Sequence, residues 1–173
     1  AFWNSVSGHA MLFERELLAA ALPFRGSRFH DWWLAFVAAS LGSIVYVPQA
    51  LVDYRQHAHT QTDIAGRRRT RQRRSAERIV AKYTERAQWL AALAQFPSPH
   101  QPLFQRMHAL WQRRGSAWFC PVWWRFVRTH AKRLMVINHR EPLRRFATKQ
   151  FFGMRWRLRG ASVERVTALA ASR

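Results

Sequence analysis

Apolar and polar positions follow two different rhythms along the chain. From Glu14 to Leu22 the spacing is that of a short helix, stopped by Pro23, whose ring disfavours helical backbone at the residue before it. "LPFRGSRF" reads as a loop turning at Gly26 and Ser27. Asp31 then stands at the N-cap position of a helix predicted over Trp32 to Leu41, with Gly42 placed to follow it as the C′ residue. Two β-rich runs come next, "SIVYV", closed by Pro48, and "ALVDYRQ". In the second, alternation sets Leu51, Asp53 and Arg55 on one side and Val52 and Tyr54 on the other.

From Gly66 onward the rhythm is helical. A long helix is predicted, polar at first and then striped with Ile79, Tyr83, Arg86 or Ala87, and Leu90. "PSPHQP", residues 97 to 102, is the clearest break. Leu103 to Arg114 and Ala117 to Val136 predict two further helices, with Pro121 tolerated near the start of the second, and residues 161–171 a last short one. The expected architecture is an α/β front over residues 1–65 joined to a helical extension over 66–173. The longest apolar run, Leu34 to Val47, is interrupted by Ser40, Gly42 and Ser43 and falls short of the roughly 18 residues of a membrane span.

Charge sharpens this division. Of 29 Lys and Arg and nine Asp and Glu, residues 1–66 hold four and five; the remaining 25 and four lie in 67–173, a net charge of −1 against +21. The cationic part is expected to attract anionic partners: lipid headgroups, nucleic acid or phosphorylated substrates. Within it, "FVRTHAKRLMVINHREPLRRFATKQFFGMRWRLRG" alternates Phe, Trp and Met with Arg and Lys. That pattern suits an interfacial helix, whose rings insert while its charges meet lipid phosphates, and it also suits stacking and phosphate contacts on nucleic acid. Neither a zinc-finger, an RRM nor a KH signature is present, while a helix-turn-helix stays open. The single Cys120 excludes an internal disulfide and a cysteine-based zinc site, and fits a reducing cytosol. The sequence also lacks a Gly-rich phosphate loop, a G-x-S-x-G elbow and an H-E-x-x-H pair.

Few residues in the front carry chemistry. Asp31 has two readings, a helix cap worth about 1 kcal/mol or a general base that takes a proton from an attacking hydroxyl. Arg55 and His57, two apart on an extended segment, point the same way and suit phosphate, or metal plus phosphate. A surface strand end is the plain alternative. His57 and His59 also have the spacing for a pair of metal ligands, without a carboxylate or thiolate beside them.

Four stretches, "VSGHAMLFERELL", "ALPF", "HDWWLAFVAASLGSIVYV" and "LVDYRQH", together resemble the second half of a family 2 glycosyltransferase of the GT-A fold, most closely the bacterial rhamnosyltransferase-like members. The resemblance covers roughly Asn4 to His57 in unbroken order. It implies that Asp31 is the catalytic base of an inverting transfer from a nucleotide-sugar donor to a hydroxyl on a lipid- or glycan-linked acceptor. It implies Arg55 and His57 beside the donor diphosphate and its divalent metal, Mg or Mn, with His57 as the metal-proximal ligand. Gly8, His9, His30 and Trp32 are implied on the acceptor side. Two departures stand out. Ala58-His59-Thr60 follows "YRQH" where members often have Gly-Gly-Asn, and no two of the aspartates at 31, 53 and 63 form the family's Asp-x-Asp metal motif. With that motif missing and no initiator Met, the chain is expected to be part of a longer enzyme of cell-surface polysaccharide assembly, inactive or weak alone. Its cationic residues 67–160 are expected to hold it, cytoplasmic and peripheral, at the inner face of an anionic membrane. Nucleic-acid binding by a non-enzymatic helical module is the rival expectation.

Overall fold

The long basic segment becomes helical where a cap allows it. The Ser75 hydroxyl accepts a hydrogen bond from the Arg78 N–H at 3.3 Å, and Glu77 in the first turn meets the positive end of the helix dipole. The helix then runs Ala76–Gln95. The computed structural model that shows this describes residues 4, 6–25, 29–53, 55, 75–134 and 143–159. In chain order these form a 3-10 turn, Gly8–Ala10, and helices α1 Arg15–Ala21, α2 His30–Leu41, α3 Ala76–Gln95, α4 Gln101–Arg114, α5 Pro121–Thr129, α6 Ala131–Leu134, α7 Leu143–Phe151 and α8 Met154–Arg157. The helix expected over 161–171, like the polar start of the long helix before residue 75, lies outside the described residues.

The α/β front does not hold. "SIVYV" and the described part of "ALVDYRQ" belong to no strand, and among the described residues the one pairing is an isolated antiparallel bridge, Phe119 to Phe152. Branched and aromatic side chains fit a pleated surface, but a strand exists only where a neighbour takes its N–H and C=O groups. No such neighbour stands beside Ser43–Val47 among the described residues. The side chains of Val45 and Tyr46 are accordingly 83% and 84% exposed. The described architecture is helical.

α3 and α4 form an antiparallel hairpin around the break at 97–100. Tyr83 and Trp111 clasp it: the Tyr83 hydroxyl donates to the Trp111 carbonyl at 2.9 Å, the Trp111 indole donates to the Tyr83 carbonyl at 3.3 Å, and the rings stack at 5.3 Å. The expected stripe faces inward on this hairpin, Leu90 fully buried and Ile79, Tyr83 and Ala87 partly so. α2 lays Trp33, Leu34 and Val37 against it, with Trp33 edge-on to Trp89 at 6.2 Å and to Phe96 at 5.5 Å. One continuous cluster joins these to Phe104, Met107, Trp111, Trp123 and Phe126. The single helix expected over Ala117–Val136 is broken. Pro121 opens α5 at its first turn, where a missing N–H costs nothing, and His130 separates α5 from α6.

Before α5 the chain is extended and pairs with the α7–α8 corner: the Cys120 N–H donates to the Phe151 carbonyl at 2.7 Å and the Gly153 N–H to the Trp118 carbonyl at 2.8 Å. Gly153 must be glycine here, because a Cβ would collide with the Ala117 carbonyl, which is backbone and cannot swing aside. Gly153→Ala is expected to lower stability by about 2 kcal/mol or more by prying this corner open. Urea denaturation of the full chain measures it. No described helix is long and apolar enough to cross a membrane.

Candidate active site

Asp31 owes its position to the face of α2 that points away from it. Trp33, two residues on, is buried and donates its indole N–H to the Ala21 carbonyl at 2.6 Å, which ties the first turn of α2 to the end of α1. Leu34 and Val37 continue that buried stripe. The helix starts at His30, so Asp31 sits inside its first turn, and the N-cap is Phe29, which has no capping side chain. The expected N-cap placement of Asp31 is therefore corrected: the cap lies two residues earlier, and Asp31 is the second residue of the helix. Its carboxylate still serves the helix end: Oδ1 accepts from the Trp32 N–H at 2.8 Å. The other oxygen, Oδ2, has no hydrogen-bond partner among the described residues, and the side chain is only half-buried. An acceptor-only oxygen held at a helix start and open to solvent can receive a proton from a hydroxyl placed beside it.

The 3-10 turn packs onto this helix start. A Cβ built on Gly8 would lie 2.8 Å from His30 Nε2 and 3.5 Å from Asp31 Cβ. Gly8, His30 and Asp31 are thus brought together from segments more than twenty residues apart. His9 and His30 are both exposed, and Trp32 is half-buried with its ring edge-on to Trp89 at 6.0 Å. Of the four residues expected on the acceptor side, Gly8 and His30 meet at one corner with Asp31, while the Trp32 ring packs towards the core and His9 stands next to Gly8 in the turn.

Arg55 is different. It is exposed on non-helical chain, and no hydrogen bond or ion pair joins it to Asp31 among the described residues. His57 and His59 lie outside the described residues. No group of three or more metal-ligating side chains gathers among the described residues. The donor set for the expected divalent metal is not assembled among the described residues.

Two features escaped the sequence. Arg114 is 2% exposed, and burial, with the charge of Arg157 nearby, pulls its guanidinium well below the usual arginine range, to about 9. Its guanidinium donates to Gln150 Oε1 at 2.6 Å, to the Phe152 carbonyl at 2.8 Å and to the Lys149 carbonyl at 3.3 Å. Arg157 adds a second donor to Lys149 at 2.6 Å. Two cations thus cap the carbonyl end of α7, where the helix dipole is negative. The second feature is a concavity of about 580 Å³ lined by α4 and α5, including Arg106, Trp124, Arg125 and His130. Burial also pushes the Tyr83 hydroxyl and the Cys120 thiol up, which keeps both neutral; Cys120 is a packed side chain rather than a nucleophile. Compared with known proteins, the chain matches no protein-family model, no curated protein and no solved structure.

Proposed function

We propose that this chain supplies the acceptor side of a nucleotide-sugar-dependent glycosyl transfer, with Asp31 as general base, working at a membrane surface. The observation that carries the proposal is the convergence of Gly8, His30 and Asp31 at the start of α2. The motifs around Gly8 and Asp31 resemble separate segments of family 2 glycosyltransferases, and their contact is what a shared acceptor corner requires. The resemblance is one of motifs and does not bring the α/β fold with it.

In this reaction the acceptor hydroxyl lies against Asp31 Oδ2. As its oxygen attacks the anomeric carbon, the carboxylate takes the proton, the new glycosidic bond forms, and the bond to the nucleoside diphosphate breaks with its electron pair on the leaving phosphate. Oδ1 remains held by the Trp32 N–H, which fixes the carboxylate through the step. Gly8 carries no side chain to collide with the His30 imidazole, so His30 can close against the turn beside Asp31. Arg55 is proposed for the leaving diphosphate. The sequence has no Asp-x-Asp pair, and the donor-binding half, with its Mg or Mn, is assigned to residues other than these.

The test is transfer of radiolabelled sugar from a nucleotide-sugar to saccharide acceptors, in the chain joined to or mixed with a donor-binding half. Transfer that depends on this chain supports the proposal. Sugar transfer equally fast without it overturns the proposal.

A further inference from the structure

α5 is the most sharply two-sided helix of the described chain. Trp123, Phe126 and Val127 face the core, while Val122, Arg125, Arg128 and Thr129 face outward. Between its outer side and Arg106 of α4 lies the concavity of about 580 Å³, floored by Trp124 and Phe126 and rimmed by Arg106, Arg125 and His130. No acid is among the described residues that line it. A neighbouring hollow of about 280 Å³ shares Trp124 and Arg125 and adds Arg128. Three guanidiniums and an imidazole around an apolar floor suit a phosphate with a hydrocarbon body attached.

The mouth is apolar and aliphatic as well as cationic. Val122, which lines the concavity, is 58% exposed, and Trp118 and Phe119, on the extended chain just before α5, are 45% and 48% exposed. Exposed large side chains beside cations are the arrangement of a surface that enters the headgroup layer of a bilayer. A single-stranded nucleic acid needs aromatic faces left free for its bases. Here the Trp124 ring already carries Arg128 at 4.6 Å, and the Trp156 ring carries Arg159 at 3.7 Å and Phe152 stacked at 5.1 Å. Phosphate charge suits either partner, and the exposed Val122, Trp118 and Phe119 beside the cations favour lipid.

We infer that the concavity between α4 and α5 seats the phosphate of an anionic phospholipid while Trp118, Phe119 and Val122 enter the interfacial layer. This site stands independently of sugar transfer. It is tested by co-sedimenting the full chain with vesicles of phosphatidylcholine alone and of phosphatidylcholine with phosphatidylglycerol. The double variant Arg106→Gln, Arg125→Gln is expected to weaken binding to the phosphatidylglycerol vesicles by about thirtyfold, whereas Arg15→Gln with Lys82→Gln, the same charge change elsewhere, weakens it by less than about threefold. Val122→Glu is expected to weaken it by about tenfold with the concavity's cations intact. All five positions are exposed, and far-ultraviolet circular dichroism checks that each variant is folded. Equal losses in the two double variants would reduce the effect to general charge attraction and overturn the site. Random-sequence duplex DNA that displaces the vesicles, and whose own binding is lost with Arg106 and Arg125, would assign the surface to nucleic acid instead.

Discussion

Asp31→Asn is expected to lower glycosyl transfer by about a thousandfold in an enzyme made of this chain and a donor-binding half. Asparagine is nearly the same size and keeps an acceptor oxygen for the Trp32 N–H, so the start of α2 stays as it is. What it loses is the ability to take a proton. Donor binding, measured by titrating nucleotide-sugar into the same enzyme, is expected to stay within about twofold, because the loss falls on the chemical step alone. Turnover near that of the unaltered enzyme would remove Asp31 from the chemistry and leave it a helix-end acceptor.

The second large effect is on stability. Arg114→Ala is expected to cost about 3 to 5 kcal/mol, since it empties a buried site and leaves Gln150 and the Phe152 carbonyl without their main donor. Trp123 also donates to Gln150 Oε1, at 3.1 Å, so the loss extends into the core around α5. Arg114→Lys is expected to recover only part of it. An ammonium on a flexible stem does not reproduce a planar fork that reaches Gln150, Lys149 and Phe152 together. Urea denaturation compares the three proteins, and a loss below about 1 kcal/mol for Arg114→Ala would show that the α7 end closes without it.

Local signals in the sequence located most helices and little of what joins them. Pro23 and Gly42 mark the ends of α1 and α2 within a residue, whereas α5 starts at Pro121, four residues after the expected start at Ala117. The start of α2 is not legible because its cap, Phe29, bears no capping side chain, while Asp31, two residues further on, looks like a cap. The strands expected at "SIVYV" and "ALVDYRQ" show the limit of composition: β-rich residues describe a preference, and a sheet needs a partner that lies elsewhere. The break at His130 carries neither proline nor glycine, so the pattern from Ala117 to Val136 reads as unbroken. Arg114 and Gln150 stand 36 residues apart, and nothing in either neighbourhood distinguishes a buried Arg from the many solvated ones. The concavity on α5 had a weak signal, apolar positions 123, 126 and 127 set against Arg125 and Arg128, submerged in the general basic run.

For the candidate site the outcome is mixed in an instructive way. Asp31, His30 and Gly8 were singled out from motifs and meet in space. Arg55 takes its expected role from the "YRQH" resemblance and its spacing to His57 on an extended segment; no strand carries it among the described residues, and His57 lies outside them.

The most direct test of the proposed acceptor corner uses the chain by itself. Proton NMR resolves the Cε1–H of each histidine, and a panel of mono- and disaccharides is titrated against it. The His30 resonance is predicted to shift on adding a saccharide that serves as acceptor, to shift less in Gly8→Val, and to leave His108, on the far hairpin, unmoved. Saccharide binding that leaves His30 in place, or moves His108 as much, would contradict an acceptor site at Gly8, His30 and Asp31.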